Sequence, residues 1–78
     1  MIKYLQFRDV GRGKYSGKIL LPKTKLNPDE IADLACKEAR KHLTSHDVET
    51  YFDAQSNEGV IFAGLRKIGT FYIYTTGI

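Results

Sequence analysis

The side chains with the widest chemical reach are Cys36, His42 and His46. A thiol and two imidazoles are metal ligands, and histidines four residues apart near a helix end can share a face. A structural zinc site takes four ligands, however, and this set offers three. At about 100° per residue Cys36 also points about 120° away from His42, and His46 falls beyond the helix end. The spacing therefore reads as a histidine closing the core edge near a helix C-terminus, where its cation is favoured. A cysteine nucleophile with a histidine base fares no better, because Cys36 sits among small apolar residues on an inward face, where thiols are packing groups. Asp47, Glu49, Asp53 and Glu58 have no spacing that pairs two carboxylates across a pocket. The expectation is a non-enzymatic chain with no catalytic residue, metal or cofactor.

Two further constellations concern binding. The stretch GRGKYSG (11–17) is rich in glycine, as phosphate-cradling loops are. Those loops join a strand to a helix N-terminus, whereas this one joins strand to strand and no Gly-Lys-Ser/Thr follows. It reads as a hairpin turn with a bulge, carrying Arg12 and Lys14 at its tip beside Lys18. Arg66 and Lys67 supply a second basic turn. The other constellation is aromatic: Tyr4, Tyr51, Phe62, Tyr72 and Tyr74 recur in segments that alternate like strands.

The element that must organise these groups is a helix in LNPDEIADLACKEARKHL (26–43). Asn27 can accept a hydrogen bond from an orphan amide, Pro28 suits the first helical position, and Glu30 can bond back to the cap. Leu26 and Ile31 are spaced as a hydrophobic staple. Ile31, Ala32, Ala35, Cys36, Ala39 and Leu43 share one side, and the small residues among them let the helix lie close to what it covers. Asp29 and Glu30 open the helix and Lys37, Arg40 and Lys41 close it, as the macrodipole favours.

Around the helix the sequence predicts five strands. Residues 2–8 alternate, with Leu5 and Phe7 opposite Tyr4, Gln6 and Arg8, and residues 14–21 pair back on them until Pro22 ends the ladder. Beyond the helix, 48–54 and 60–65 form a hairpin about the turn-rich QSNEG (55–59), a tight connection spans 66–69, and 70–76 make the last strand. The expected fold is α+β, a single domain over 1–78: a two-layer structure of order β-β-α-β-β-β, antiparallel-rich, with one helix on one face. One helix covers one face only. With Leu5, Phe7, Ile19, Leu21, Phe52, Ile61, Ala63, Leu65, Phe71 and Ile73 beneath it, the open face carries Tyr4, Leu20, Tyr51, Val60, Phe62, Tyr72 and Tyr74. Such aromatic clusters mark contact sites, although tyrosine is also a good strand former that tolerates half-exposure.

Bulk properties set outer bounds. The 78 residues suffice for one core and two layers, and burial of about 60% of the unfolded surface leaves little spare stability. A net charge of +3 and a pI near 9.1 favour an acidic partner or nucleic acid. One cysteine allows no internal disulfide, no signal pattern opens the chain, and no apolar run reaches the ~18 residues of a membrane span; a cytoplasmic setting away from membranes is expected.

Basic turns beside an aromatic sheet face are what single-stranded nucleic-acid binders use. KIGTFYIY (67–74) resembles the aromatic strand motif of the RNA-recognition motif, but its spacing departs from that pattern and that fold needs two helices. In element order and size, nearly the whole chain resembles small phage-encoded inhibitor proteins, anti-CRISPR proteins among them, in which one short helix lies across a small antiparallel sheet. The resemblance implies a protein that occupies a surface of a host protein or nucleoprotein complex. No functional residue carries over from it. The residues themselves nominate Tyr51, Phe62, Tyr72 and Tyr74 as anchors, with Arg12, Lys14, Arg66 and Lys67 setting orientation and association rate. Direct nucleic-acid binding and a homodimer through the open face are the alternatives.

Overall fold

The computed structural model describes residues 2–22, 24–43 and 47–77. The elements run β1 (Ile2–Arg8), β2 (Lys18–Leu20), α1 (Pro28–Arg40), β3 (Val48–Asp53), β4 (Glu58–Ala63) and β5 (Arg66–Thr76). This is the expected α+β order. All five strands form one antiparallel sheet in the order β2-β1-β5-β4-β3. The long β5 is its central strand and pairs with β1 from Ile2↔Thr76 to Arg8↔Thr70.

The helix begins as its sequence dictates. The Asn27 side chain accepts from the Glu30 amide at 2.8 Å and the Glu30 carboxylate accepts from the Asn27 amide at 3.3 Å, a closed capping box with Pro28 just inside it. Leu26 and Ile31 both pack against the core. The helix is shorter than the 26–43 expected: it ends at Arg40, where the amides of Lys41 and His42 bond to the carbonyls of Glu38 and Ala39. Such three-residue closures tighten a last turn and stop the α-helix.

Ala35 and Ala39 are fully buried, so α1 approaches the sheet with methyl groups as its only spacers there. It lies along the edge strand β3, where the Thr50 hydroxyl donates to the Ala32 carbonyl at 2.6 Å and the Cys36 thiol donates to the Val48 carbonyl at 3.6 Å. Beneath it Leu5, Phe7, Val10, Ile61 and Phe71 are buried, with Leu21 and Val48 at the margin. Fully burying each large side chain stabilises by roughly 1.5–3 kcal/mol, which makes this layer the main source of stability.

Strand boundaries differ from expectation in β2, β4 and β5, and β3 ends one residue early, at Asp53. β2 covers only Lys18–Leu20 rather than 14–21. One extra residue separates the pair Gln6↔Lys18 from the bridge Val10↔Tyr15 on the β1 side, and Asp9 absorbs it in a left-handed conformation, φ 48°. β4 starts at Glu58, so Glu58 and Gly59 belong to the strand and the turn is confined to residues 54–57. Gly59 is required there because a Cβ would run into the Phe71 ring. The connection expected over 66–69 is part of β5; Ala63 pairs with Arg66, and the turn is Gly64-Leu65, with Gly64 supplying φ 66°. Leu65, expected beneath the helix, is therefore fully exposed at a hairpin tip.

Candidate interaction surface: the open face of the sheet

Alternation along each strand and the observed register decide which side chains share the uncovered face. Tyr4 lies opposite Tyr74 and Gln6 opposite Tyr72 across β1 and β5. Tyr72 in turn lies opposite Glu58, and Tyr51 opposite Val60. Every residue expected on the open face is on it, and none of the rings is buried: Tyr51 is 56% exposed and Leu20 65%, while Tyr4, Val60, Phe62, Tyr72 and Tyr74 are half-buried.

The rings form two clusters. Tyr4 and Tyr74 stack with centroids 5.5 Å apart, and Tyr72 follows at 5.8 Å from Tyr74. Toward the other edge Tyr51 meets Phe62 edge-on at 5.9 Å. Pairs of this kind contribute about 0.5–1.5 kcal/mol beyond area burial, so they also stiffen the face. Cations lie over the first cluster: the Arg8 guanidinium is 4.1 Å from the Tyr72 centroid, and the Lys18 ammonium is 4.7 Å from that of Tyr4. Arg8 also reaches Glu58 at 3.9 Å, a pair exposed enough to contribute about 0–1 kcal/mol. Gln6 donates to the Ser16 and Gly17 carbonyls and so ties the hairpin loop to this face.

The face is bipolar. Arg8 and Lys18 give the β1–β2 half positive charge, whereas Glu49, Asp53 and Glu58 give the β3–β4 half negative charge. Tyr51 donates to Glu49 at 2.8 Å. That hydrogen bond, helped by the carboxylate charge and a little desolvation, holds the Tyr51 phenol protonated above the usual tyrosine value of 10.0.

Seven of the eight nominated residues divide between two places. Tyr51, Phe62, Tyr72 and Tyr74 are on the open face. Arg12, Arg66 and Lys67 meet at one end of the molecule, along a groove that Lys14 does not line. Arg66 and Lys67 sit at the start of β5 rather than in a turn, which corrects the second basic turn. Lys67 also borders the open face beside Tyr51 and Val60. The pairing of Arg8 with Tyr72 and of Tyr4 with Tyr74 has no local sequence signal, since both depend on the first strand meeting the last. Lys18, assigned to the cationic finger, instead turns onto Tyr4.

The residues with potential chemistry are engaged otherwise. Cys36 is half-buried and bonded to Val48. His42 stacks on Tyr15 with centroids 3.6 Å apart and lies 3.5 Å from Glu38. Burial, reinforced by Glu38 and opposed by Lys41, pushes the Tyr15 phenol above its usual value. His46 lies outside the described residues, and among the described residues no three His, Cys, Asp or Glu side chains cluster as a metal site. A cleft at the N-terminal end of α1, lined by Leu21, Leu26, Phe52 and Ile73, encloses about 190 Å³, below the 300–1,000 Å³ of ordinary ligand pockets. Among the described residues no helix is long and apolar enough to cross a membrane.

No protein-family model, curated protein or solved structure matches the chain. The fold and the geometry of the open face carry the functional argument alone.

Proposed function

We propose that the protein is a non-enzymatic interaction module that docks its open sheet face on a protein surface and acts by occluding it. Inhibition of a host protein or nucleoprotein complex, as in the phage-encoded inhibitors it resembles, is the form of activity this reading favours. The observation that carries it is a face of clustered, half-exposed rings that the single helix leaves uncovered. Clustered aromatic surface with a charged surround is the composition of interface cores. A standard interface takes about 800 Å² per partner, about one seventh of the chain's 5597 Å², which is within reach of one face and its margins.

Base stacking on the same face is disfavoured. Stacking needs free ring faces, and those of Tyr72 and Tyr4 carry Arg8 and Lys18. The acidic β3–β4 half would also repel phosphates.

The test is affinity capture from lysate with and without nuclease, comparing the natural chain with Tyr51→Ala/Tyr72→Ala. Nuclease-resistant capture of a protein, lost in the double variant, is the expected result. Capture by the variant equal to that of the natural chain would refute the reading. Sedimentation at micromolar concentration separates the remaining case: a dimer dissociated by the same substitutions would make the partner a second copy.

A further inference from the structure

At one end of the sheet, three parts of the chain that are distant in sequence converge. The tip of the β1–β2 hairpin is clamped there: the Gly11 amide donates to the Ile68 carbonyl at 2.9 Å, Gly11 abuts Leu43, and Gly69 lies so close under Val10 that a Cβ would collide with it. The clamp fixes Arg12 beside Arg66 and Lys67, and with His42 they line a groove floored by Leu43 and Ile68. Among the described residues no aspartate or glutamate lines this groove. Among the described residues neither Arg12, Arg66 nor Lys67 has an ion-pair partner, whereas Arg8 is paired with Glu58, and Lys41 and His42 with Glu38. Exposed like charges gathered along one groove repel one another weakly in salt, and an anionic occupant would relieve that repulsion.

We propose that this groove binds the phosphodiester backbone of a nucleic-acid strand, without regard to sequence. Two arginine forks and a lysine suit phosphate oxygens. The positive field also continues past the groove, through Lys14 beyond the hairpin tip and through Arg40 in the last turn of α1, where it offsets the negative pole of the helix. A strand carries one charge per nucleotide and matches an extended row of cations; an acidic peptide would need a run of carboxylates to do the same. No base readout is included, because the only ring in the groove among the described residues, His42, is stacked on Tyr15, and the tyrosine clusters lie on the open face. The inference does not rest on the protein-docking reading. If both hold, the partner is a nucleoprotein.

The experiment is fluorescence anisotropy of a labelled oligothymidylate of about 20 nucleotides with the full chain, over a salt series from about 50 to 200 mM. Contacts to three or four phosphates give an affinity that falls with salt at a log–log slope of about 2–3. Arg12→Ala/Arg66→Ala, both at exposed positions, should weaken binding at least about fivefold and reduce the slope by about 1.4, while Arg12→Lys/Arg66→Lys keeps the slope. Tyr51→Ala/Tyr72→Ala should leave both quantities unchanged, so failure here is distinct from failure of the docking face. No binding at the lowest salt, a slope indifferent to the arginine pair, or competition by polyglutamate equal to that by the oligonucleotide would overturn the proposal.

Discussion

Phe71 and Tyr72 are neighbours on β5 that point to opposite sides of the sheet. Phe71 is 1% exposed, stacked on Phe52 at 6.0 Å and pressed against Phe7 at 6.2 Å. Tyr72 is half-buried, with Arg8 over its ring and Tyr74 beside it. Both faces are aromatic, so composition does not separate them. The difference lies in what covers each ring. Beneath the helix, apolar side chains interlock and, among the described residues, no polar or charged residue is fully buried, an arrangement that serves stability. On the open face, charged and hydroxyl-bearing side chains surround the rings and keep them compatible with water, and the proposed docking rests on that arrangement.

Substitutions at adjacent positions separate the two faces. The largest effect belongs to the covered one: Phe71→Ala or Phe7→Ala should cost about 3–5 kcal/mol, most of the stability of a domain this small, and a thermal melt followed by far-UV circular dichroism should show loss of the folded baseline. Tyr72→Ala and Tyr51→Ala should lower stability by about 1–2 kcal/mol in the same assay, yet each should cost about 2 kcal/mol or more in affinity for a protein partner, read by calorimetry. An unfolding loss at Tyr72 as large as that at Phe71 would erase the distinction between the faces.

Smaller changes sharpen it. Gly59→Ala forces a methyl group into the Phe71 ring and should cost about 1–3 kcal/mol, whereas removing side-chain atoms next door with Val60→Ala, on the open face, should cost less in the same denaturation series. Asn27→Ala removes the cap of the helix that creates the covered face and should cost about 1 kcal/mol, seen as a lower denaturation midpoint with unchanged denaturant dependence.

The smallest effect is alkaline. The folded-state values of Tyr15 and Tyr51 are both raised above 10.0, by burial and by the Glu49 hydrogen bond respectively. A raised folded value means that the stabilisation is fully present below pH 10 and is lost as pH rises through the folded-state values. Stability should therefore decline above pH 10, and Tyr15→Phe should reduce the decline.

Local features of this fold could be read from the chain, and non-local ones could not. Asn27, Pro28 and Glu30 announce the helix because a cap is made within four residues. Alternation put every open-face ring on the correct side, because side-chain direction along a strand has a period of two whatever the strand pairs with. The strand limits between 58 and 69 are hidden in the sequence because Gly59 and Gly69 look like turn residues, although both lie inside strands. Both are glycine for tertiary reasons, the Phe71 ring and the Val10 backbone, which come from elsewhere in the chain. The clustering of Arg12 with Arg66 and the stacking of Tyr4 on Tyr74 depend on contacts across more than 50 residues, for which a single sequence carries no local signal.

Under the proposed function, the uncovered side of the sheet is a contact surface already formed in the free chain. Hydroxyl-radical footprinting, read by mass spectrometry on the free chain and on its captured complex, addresses it most directly. Tyr51, Phe62, Tyr72 and Tyr74 should be oxidised in the free chain while Phe7 and Phe71 are spared, and the first four should become protected when the partner is bound. Protection of those four rings in the free monomer, or equal oxidation with and without the partner, would contradict the account.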